Sequence, residues 1–206
     1  MLLKDVAYEK IKEKILEEYY EAGQFLSERT LIEELGMSKT PIKNALVRLE
    51  SEGFVTISSK QGIIVIDISV ERINDIYNLR IALETFNCQE IYGRISEEQL
   101  RELEENVEST KKAAIDKDVK SFATLDHEFH LMISEFAGNS EITKILLNYQ
   151  DHLRRITLRH LKKDPGRVQK FYAEHADILK ALRAKDESCA LLMKTHLYES
   201  KMMYFQ

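Results

Sequence analysis

The sequence predicts a mainly α protein: a winged helix-turn-helix over residues 1–68, then an antiparallel all-α helical bundle over residues 69–206. Three observations lead there. With only 7 Gly and 2 Pro in 206 residues, few positions interrupt a helix. Apolar residues recur at helical spacing through most of the chain. The one clear break is a pair of β-branched runs, FVTIS and IIVID, separated by SKQG, which reads as a small hairpin.

In chain order, a helix over about residues 5–21 carries Val6, Ile11 and Ile15 on one side. Ser27 then caps SERTLIEELG, which stops at Gly36, and Ser38 opens SKTPIKNALVRLESEG, with Pro41 tolerated in its first turn and Gly53 as the stop. Helix, helix, tight turn, helix and hairpin is the order of a winged helix-turn-helix. After Ser69 the spacing places helices near 69–92, 96–115, 118–137, 140–162, 165–185 and 187–205. Their starts are marked by Ser69, the capping box Ser96–Gln99, Asp164-Pro165 and Asp186. Short connections between them indicate antiparallel neighbours.

Composition is that of a globular protein, 44% apolar and 32% charged. The N-terminus carries Lys4, Asp5 and Glu9 where a signal peptide needs an apolar run, and no segment approaches a membrane span. Cys88 and Cys189 are far apart in the chain and lack CxxC spacing, which fits core residues of a cytoplasmic protein.

Within the third helix, Ile42, Leu46 and Leu49 form an inward stripe, and Lys39, Thr40, Lys43 and Asn44 fall on the other side in its first half. That is where a recognition helix meets base edges and phosphates. Between Leu35 and Leu49 stand Lys39, Lys43 and Arg48 and no acid. Arg29 and Lys60, at the hairpin tip, would add phosphate or minor-groove contacts. The overall charge of −5, and nine Lys/Arg against twelve Asp/Glu in residues 1–68, favour a solvated face instead; the acid-free reading face favours DNA. The stretch LSERTLIEELGMSKTPIKNALVRLESEGFVTISSKQGIIV closely resembles the winged-helix domain of GntR-family bacterial transcription regulators. The resemblance implies operator contacts from Arg29, Lys39, Lys43 and the wing tip around Gln61 and Gly62; the helix reading itself adds Ser38, Thr40, Asn44 and Lys60 as DNA-binding candidates. Lys39 and Lys43 stand where that family usually has Arg, and Asn44 where it has Glu, so the operator read here differs: Lys cannot make Arg's bidentate fork with guanine.

In the bundle, LDHEFH (125–130) interrupts a helix that buries Phe122, Leu125, Phe129, Ile133 and Phe136. At about 100° per residue, Asp126 and His130 lie side by side on one flank of that stripe. The same geometry puts His127 almost opposite, in solvent, and Glu128 on the other flank. His175 falls in mid-stripe in FYAEHADILKAL, and His196 in CALLMKTHLYESK. Burying an unsatisfied imidazole costs a few kcal/mol. A lone interior histidine usually finds a hydrogen bond in the core, but three with a flanking Asp on facing helices favour a metal site. His160 is also near an inner face, so periodicity alone does not fix the histidines, although it stands near a helix end. Residues 70–205 resemble the FCD ligand-binding domain of the FadR branch of GntR regulators, through IYNLRIALE, DxxxH, EHxxIxxAL and MxxH. The resemblance implies metal ligation by Asp126, His130, His175 and His196.

Zinc, nickel, manganese and cobalt all accept this donor set. Free coordination positions would take a carboxylate of a small organic-acid effector. Arg80 would neutralise a second carboxylate, unless it is spent on Glu84 one turn away. Arg154 and Arg159, in the basic run RRITLRHLKK, are lesser candidates for the ligand. The expected function is a ligand-responsive regulator, a homodimer on a pseudo-palindromic operator of double-stranded DNA, with no membrane partner and no enzymatic activity. The alternatives are the same regulator with a purely structural metal, and a metallo-hydrolase with a winged-helix appendage. The second lacks a well-placed base, because Glu128 points to the wrong flank.

Overall fold

The computed structural model describes residues 2–58 and 62–205. The chain divides into two compact units, Met1–Ile68 and Ser69–Gln206.

In the first unit, helix α1 (Leu3–Leu16) packs against α3 (Lys39–Ser51), with α2 (Glu28–Leu35) beside α3. Three short strands, β1 (Phe25–Leu26), β2 (Val55–Ser58) and β3 (Gly62–Val65), form an antiparallel sheet in the order β1-β3-β2. Helix α1 ends five residues earlier than its periodicity suggests. Glu18 takes a left-handed φ of 59°, and the chain turns so that Tyr20 is buried, with its hydroxyl donating to Glu34 at 2.5 Å. Strand β1 gave no sequence signal, because two residues are too few to show alternation. Its partner β3 begins at Gly62, where φ is +85° and a Cβ would lie 3.1 Å from the Leu26 carbonyl oxygen, so glycine suits both the backbone and the close approach.

Core positions of this unit follow the inward stripes: Ile11, Ile15, Leu31, Ile42, Leu46 and Leu49 are all buried. The Arg48 guanidinium lies 3.6 Å over the Tyr8 ring, and the Tyr8 hydroxyl donates to Glu52 at 2.6 Å. These contacts fasten the C-terminal half of α3 to α1.

The second unit is all helical among its described residues: α4 (Val70–Ile91), α5 (Glu97–Asp116), α6 (Val119–Ala137), α7 (Ser140–Lys163), α8 (Arg167–Arg183) and α9 (Ser188–Met202). Ser69 caps α4, and the Ser96–Gln99 capping box opens α5 with both reciprocal bonds made. Helix α8 starts at Arg167, after Asp164 accepts from the Gly166 amide and the Arg167 side chain. Contacts between Asn78 and Lys201 and between Cys88 and Cys189 show α4 and α9 running antiparallel. Helix α6 packs against α4, α5 and α7. Both cysteines are fully buried and free. No helix among the described residues is long and apolar enough to cross a membrane.

Loss of the capping box should be measurable. Ser96→Ala should lower bundle stability by about 1 kcal/mol, seen as a lower urea midpoint at unchanged m. Ser38→Ala should leave the midpoint in place, because the Ser38 hydroxyl makes no capping bond.

Candidate metal centre and nucleic-acid interface

Helix α6 presents Asp126 and His130 four residues apart, α8 presents His175 and α9 presents His196. All four are at most 5% exposed, and one ligand atom from each lies within 4.8 Å of the others. His196 Nε2 is 3.3 Å from both His130 Nε2 and His175 Nε2, and Asp126 Oδ1 is 3.5 Å from His175 Nε2. Apolar side chains frame the group. Phe129 stacks on His175 at 4.2 Å, and Phe171 meets His196 edge-on at 5.8 Å.

Two carboxylates that the sequence reading did not connect to the histidines complete the arrangement. Glu84 Oε2 on α4 lies 2.5 Å from His130 Nδ1, and Glu174 Oε2 on α8 lies 2.7 Å from His196 Nδ1. Burial by itself would raise the Glu84 pKa, but the Arg80 guanidinium and His130 outweigh it and bring it to about 2. An ionised carboxylate can only accept, so His130 carries its proton on Nδ1, and the same logic applies to His196 beside Glu174. Their Nε2 lone pairs therefore face each other at 3.3 Å. His175 can place a proton between the nitrogens only by leaving its own Nδ1, which has no partner, as a buried lone pair. Burial also lowers the pKa of His130, and lowers that of His175 well below the ordinary range, so neutral imidazoles are favoured. Converging lone pairs with at most one proton among three nitrogens fit a cation. The 3.3 Å separations suit ligands about 2.1 Å from one ion.

His127 departs from expectation. It is 7% exposed rather than solvated, lying 3.4 Å from the Thr157 hydroxyl on α7. Helix α7 covers the side of α6 that a single amphipathic stripe leaves open. From Ser121 onward the exposed residues of α6 are Ser121, Glu128 and Glu135, seven apart, a strip much narrower than a half-exposed helix presents. Glu128, placed by periodicity on the other flank of the stripe, is exposed. His160 stays outside the cluster, 3.9 Å from the Tyr204 ring.

Arg80 pairs with Glu84 at 2.6 Å, the alternative that its spacing allowed. It also lines a small pocket, with room for little more than one water, together with Glu84, His127, His130 and Gln150. Arg154 lines a neighbouring cleft with His127 and Gln150.

On the first unit, Ser38, Lys39, Thr40, Lys43 and Asn44 share the exposed face of α3, and Arg29 projects from α2 with 87% of its side chain exposed. Lys39 pairs with Glu28 at 3.3 Å and Arg29 with Glu33 at 2.8 Å. Gly62 starts β3, while Lys60 and Gln61 lie outside the described residues.

Residues 75–199 match the FCD domain family, and residues 3–65 match the family described as bacterial regulatory proteins, gntR family. The gluconate operon transcriptional repressor of Bacillus subtilis is 27% identical over 190 residues, 89% of this chain and 76% of the relative. An HTH-type transcriptional regulator from the TAR-I ttuE-ttuC' intergenic region of Agrobacterium vitis is 32% identical over 127 residues, 60% of this chain and 74% of the relative. The solved structure of E. coli McbR/YncC shares the fold, with a TM-score of 0.80 at 21% identity, covering 100% of this chain and 98% of that one.

Burial holds the His127 pKa down at about 4, against an ordinary value near 6.5. Below about pH 6.5 the unfolded chain takes up a proton that the folded chain refuses, so stability falls as pH drops from about 6.5 to about 4. In protein stripped of divalent metal, His127→Gln should remove about 3 kcal/mol of that loss. Urea unfolding between about pH 7 and pH 4 reads the difference.

Proposed function

The chain belongs to the GntR family of bacterial regulatory proteins, its winged helix followed by an FCD domain, and on that footing we propose a metal-dependent, ligand-responsive cytoplasmic repressor. It binds a pseudo-palindromic operator as a homodimer, one winged helix per half-site. Regulation of transcription is the family's function, and relatives named as repressors favour repression here.

The proposal rests on one observation above the others: four buried donor atoms from three helices converge within 4.8 Å. Asp126, His130, His175 and His196 would hold zinc, nickel, manganese or cobalt. The bound ion would supply a Lewis-acidic centre for one oxygen of a small organic acid. Arg80, on the wall of the adjoining cavity, would take a second carboxylate. Glu84 and Glu174 each engage an imidazole, so neither is placed as the general base that a hydrolase needs; this favours a sensor. Effector binding would shift α4 or α6, and with them the spacing of paired heads on DNA.

At the DNA, Lys39, Lys43 and Arg29 would meet phosphates or bases, with Ser38, Thr40, Asn44 and the wing tip (Lys60, Gln61, Gly62) completing the reading surface.

Elemental analysis of purified protein should find about one divalent ion per chain, and a chelator should lower its melting temperature. Changing Asp126, His130, His175 and His196 together to Ala should abolish both effects; full metal retention would overturn the site. In gel shifts on the protein's own upstream region, Lys43→Ala should weaken binding and reduce the log–log salt slope by about one.

A further inference from the structure

We propose that Glu84 is a relay joining the two halves of the site, so that an oxyanion drawing Arg80 toward the cavity tightens metal binding through His130. The inference rests on reading the four converging residues as a metal site, and it adds how that site is regulated.

The geometry gives each oxygen of Glu84 a separate task. Oε1 accepts from Arg80 Nε at 2.6 Å, and Oε2 lies 2.5 Å from His130 Nδ1, whose other nitrogen faces the centre. Arg80, Glu84 and His130 are 4%, 1% and 4% exposed, so little water screens the charges along this line. All three residues line a small pocket that shares His127 and Gln150 with a neighbouring cleft of about 180 Å³, the route by which an anion would reach Arg80. Glu174, which orients His196, is a useful contrast. Its side chain is 21% exposed, and its other oxygen faces Lys170 at 3.8 Å, on the surface. Among the described residues, only Glu84 connects one of the clustered histidines to a buried cation beside a pocket.

The sign follows from shared charge. While the guanidinium neutralises Glu84, the carboxylate pulls less on the His130 Nδ1–H, and Nε2 is a poorer donor to a cation. An oxyanion that engages Arg80 loosens that hold, Glu84 pulls harder, and Nε2 becomes a better ligand. Coupling of this kind is reciprocal: a bound metal raises anion affinity by the same factor. The ligand class is a small oxyanion, a carboxylate in the reading above.

Zinc alone is the probe. Full-length protein is stripped of metal, and zinc affinity is measured by competition with a chromogenic chelator, with circular dichroism confirming the fold. Glu84→Gln should weaken zinc binding by about 10–100-fold. Arg80→Gln should tighten it by about 5-fold or more. In the Arg80→Gln/Glu84→Gln double variant, the effect of changing Arg80 should vanish. Glu174→Gln should weaken zinc binding yet keep the full response to Arg80→Gln. Should Arg80→Gln fail to fold, Arg80→Lys should show the same sign at smaller size. Additive effects of the Arg80 and Glu84 changes, or an Arg80 change that leaves affinity unaltered or lower, would overturn the relay. Zinc affinity that survives Asp126→Ala would instead overturn the metal reading itself.

Discussion

Two short contacts between a carboxylate and an imidazole, Glu84 with His130 and Glu174 with His196, set the character of the whole second unit. Without them the three histidines could rotate or exchange tautomers until each found a neighbour, and the cluster would be an ordinary polar patch in a core. With them, two lone pairs are fixed on the same point. A buried arrangement that is unfavourable when empty and favourable around a cation has a direction built into it, and the helices that carry it must be held tightly enough not to relax away.

The surrounding packing supplies that restraint. Phe129, Ile133, Ile178, Met193 and Leu197 form an apolar layer on one side of the cluster, and Phe122 and Phe171 belong to another. Into this environment α4 brings a charged pair, Arg80 and Glu84, both nearly inaccessible. Buried pairs of this kind are seldom better for stability than well-packed hydrocarbon of similar volume, because both ions lose their hydration. Their presence on the wall of a cavity beside the histidines is accounted for more simply by binding than by stability.

Much of this was legible in the chain. The i, i+4 spacing of Asp126 and His130, and the mid-stripe positions of His175 and His196, follow from helical geometry and the cost of burying imidazole. What remained hidden depends on more than one helix at a time. A single stripe centred on Phe129 assigns His127 to water, yet α7 closes over that side. Glu84 could be paired with Arg80 from spacing, but its second oxygen meets His130 only because α4 lies along α6. Glu174 reaches His196 across the gap between α8 and α9. In the first unit, the inward stripe of α3 was readable, whereas the early end of α1 reflects Tyr20 turning inward to a partner 14 residues away.

The two-residue strand β1 has an effect out of proportion to its length. Because Phe25 and Leu26 pair with Ile64 and Ile63, strand β3 is hydrogen-bonded along both edges, to β1 on one side and to β2 on the other. Sliding β3 by one residue would break two ladders together and turn Ile63 and Val65 out of the core. Each outer strand thereby holds the middle one in register, so the three-stranded sheet behaves as one latch that opens only if both seams fail together.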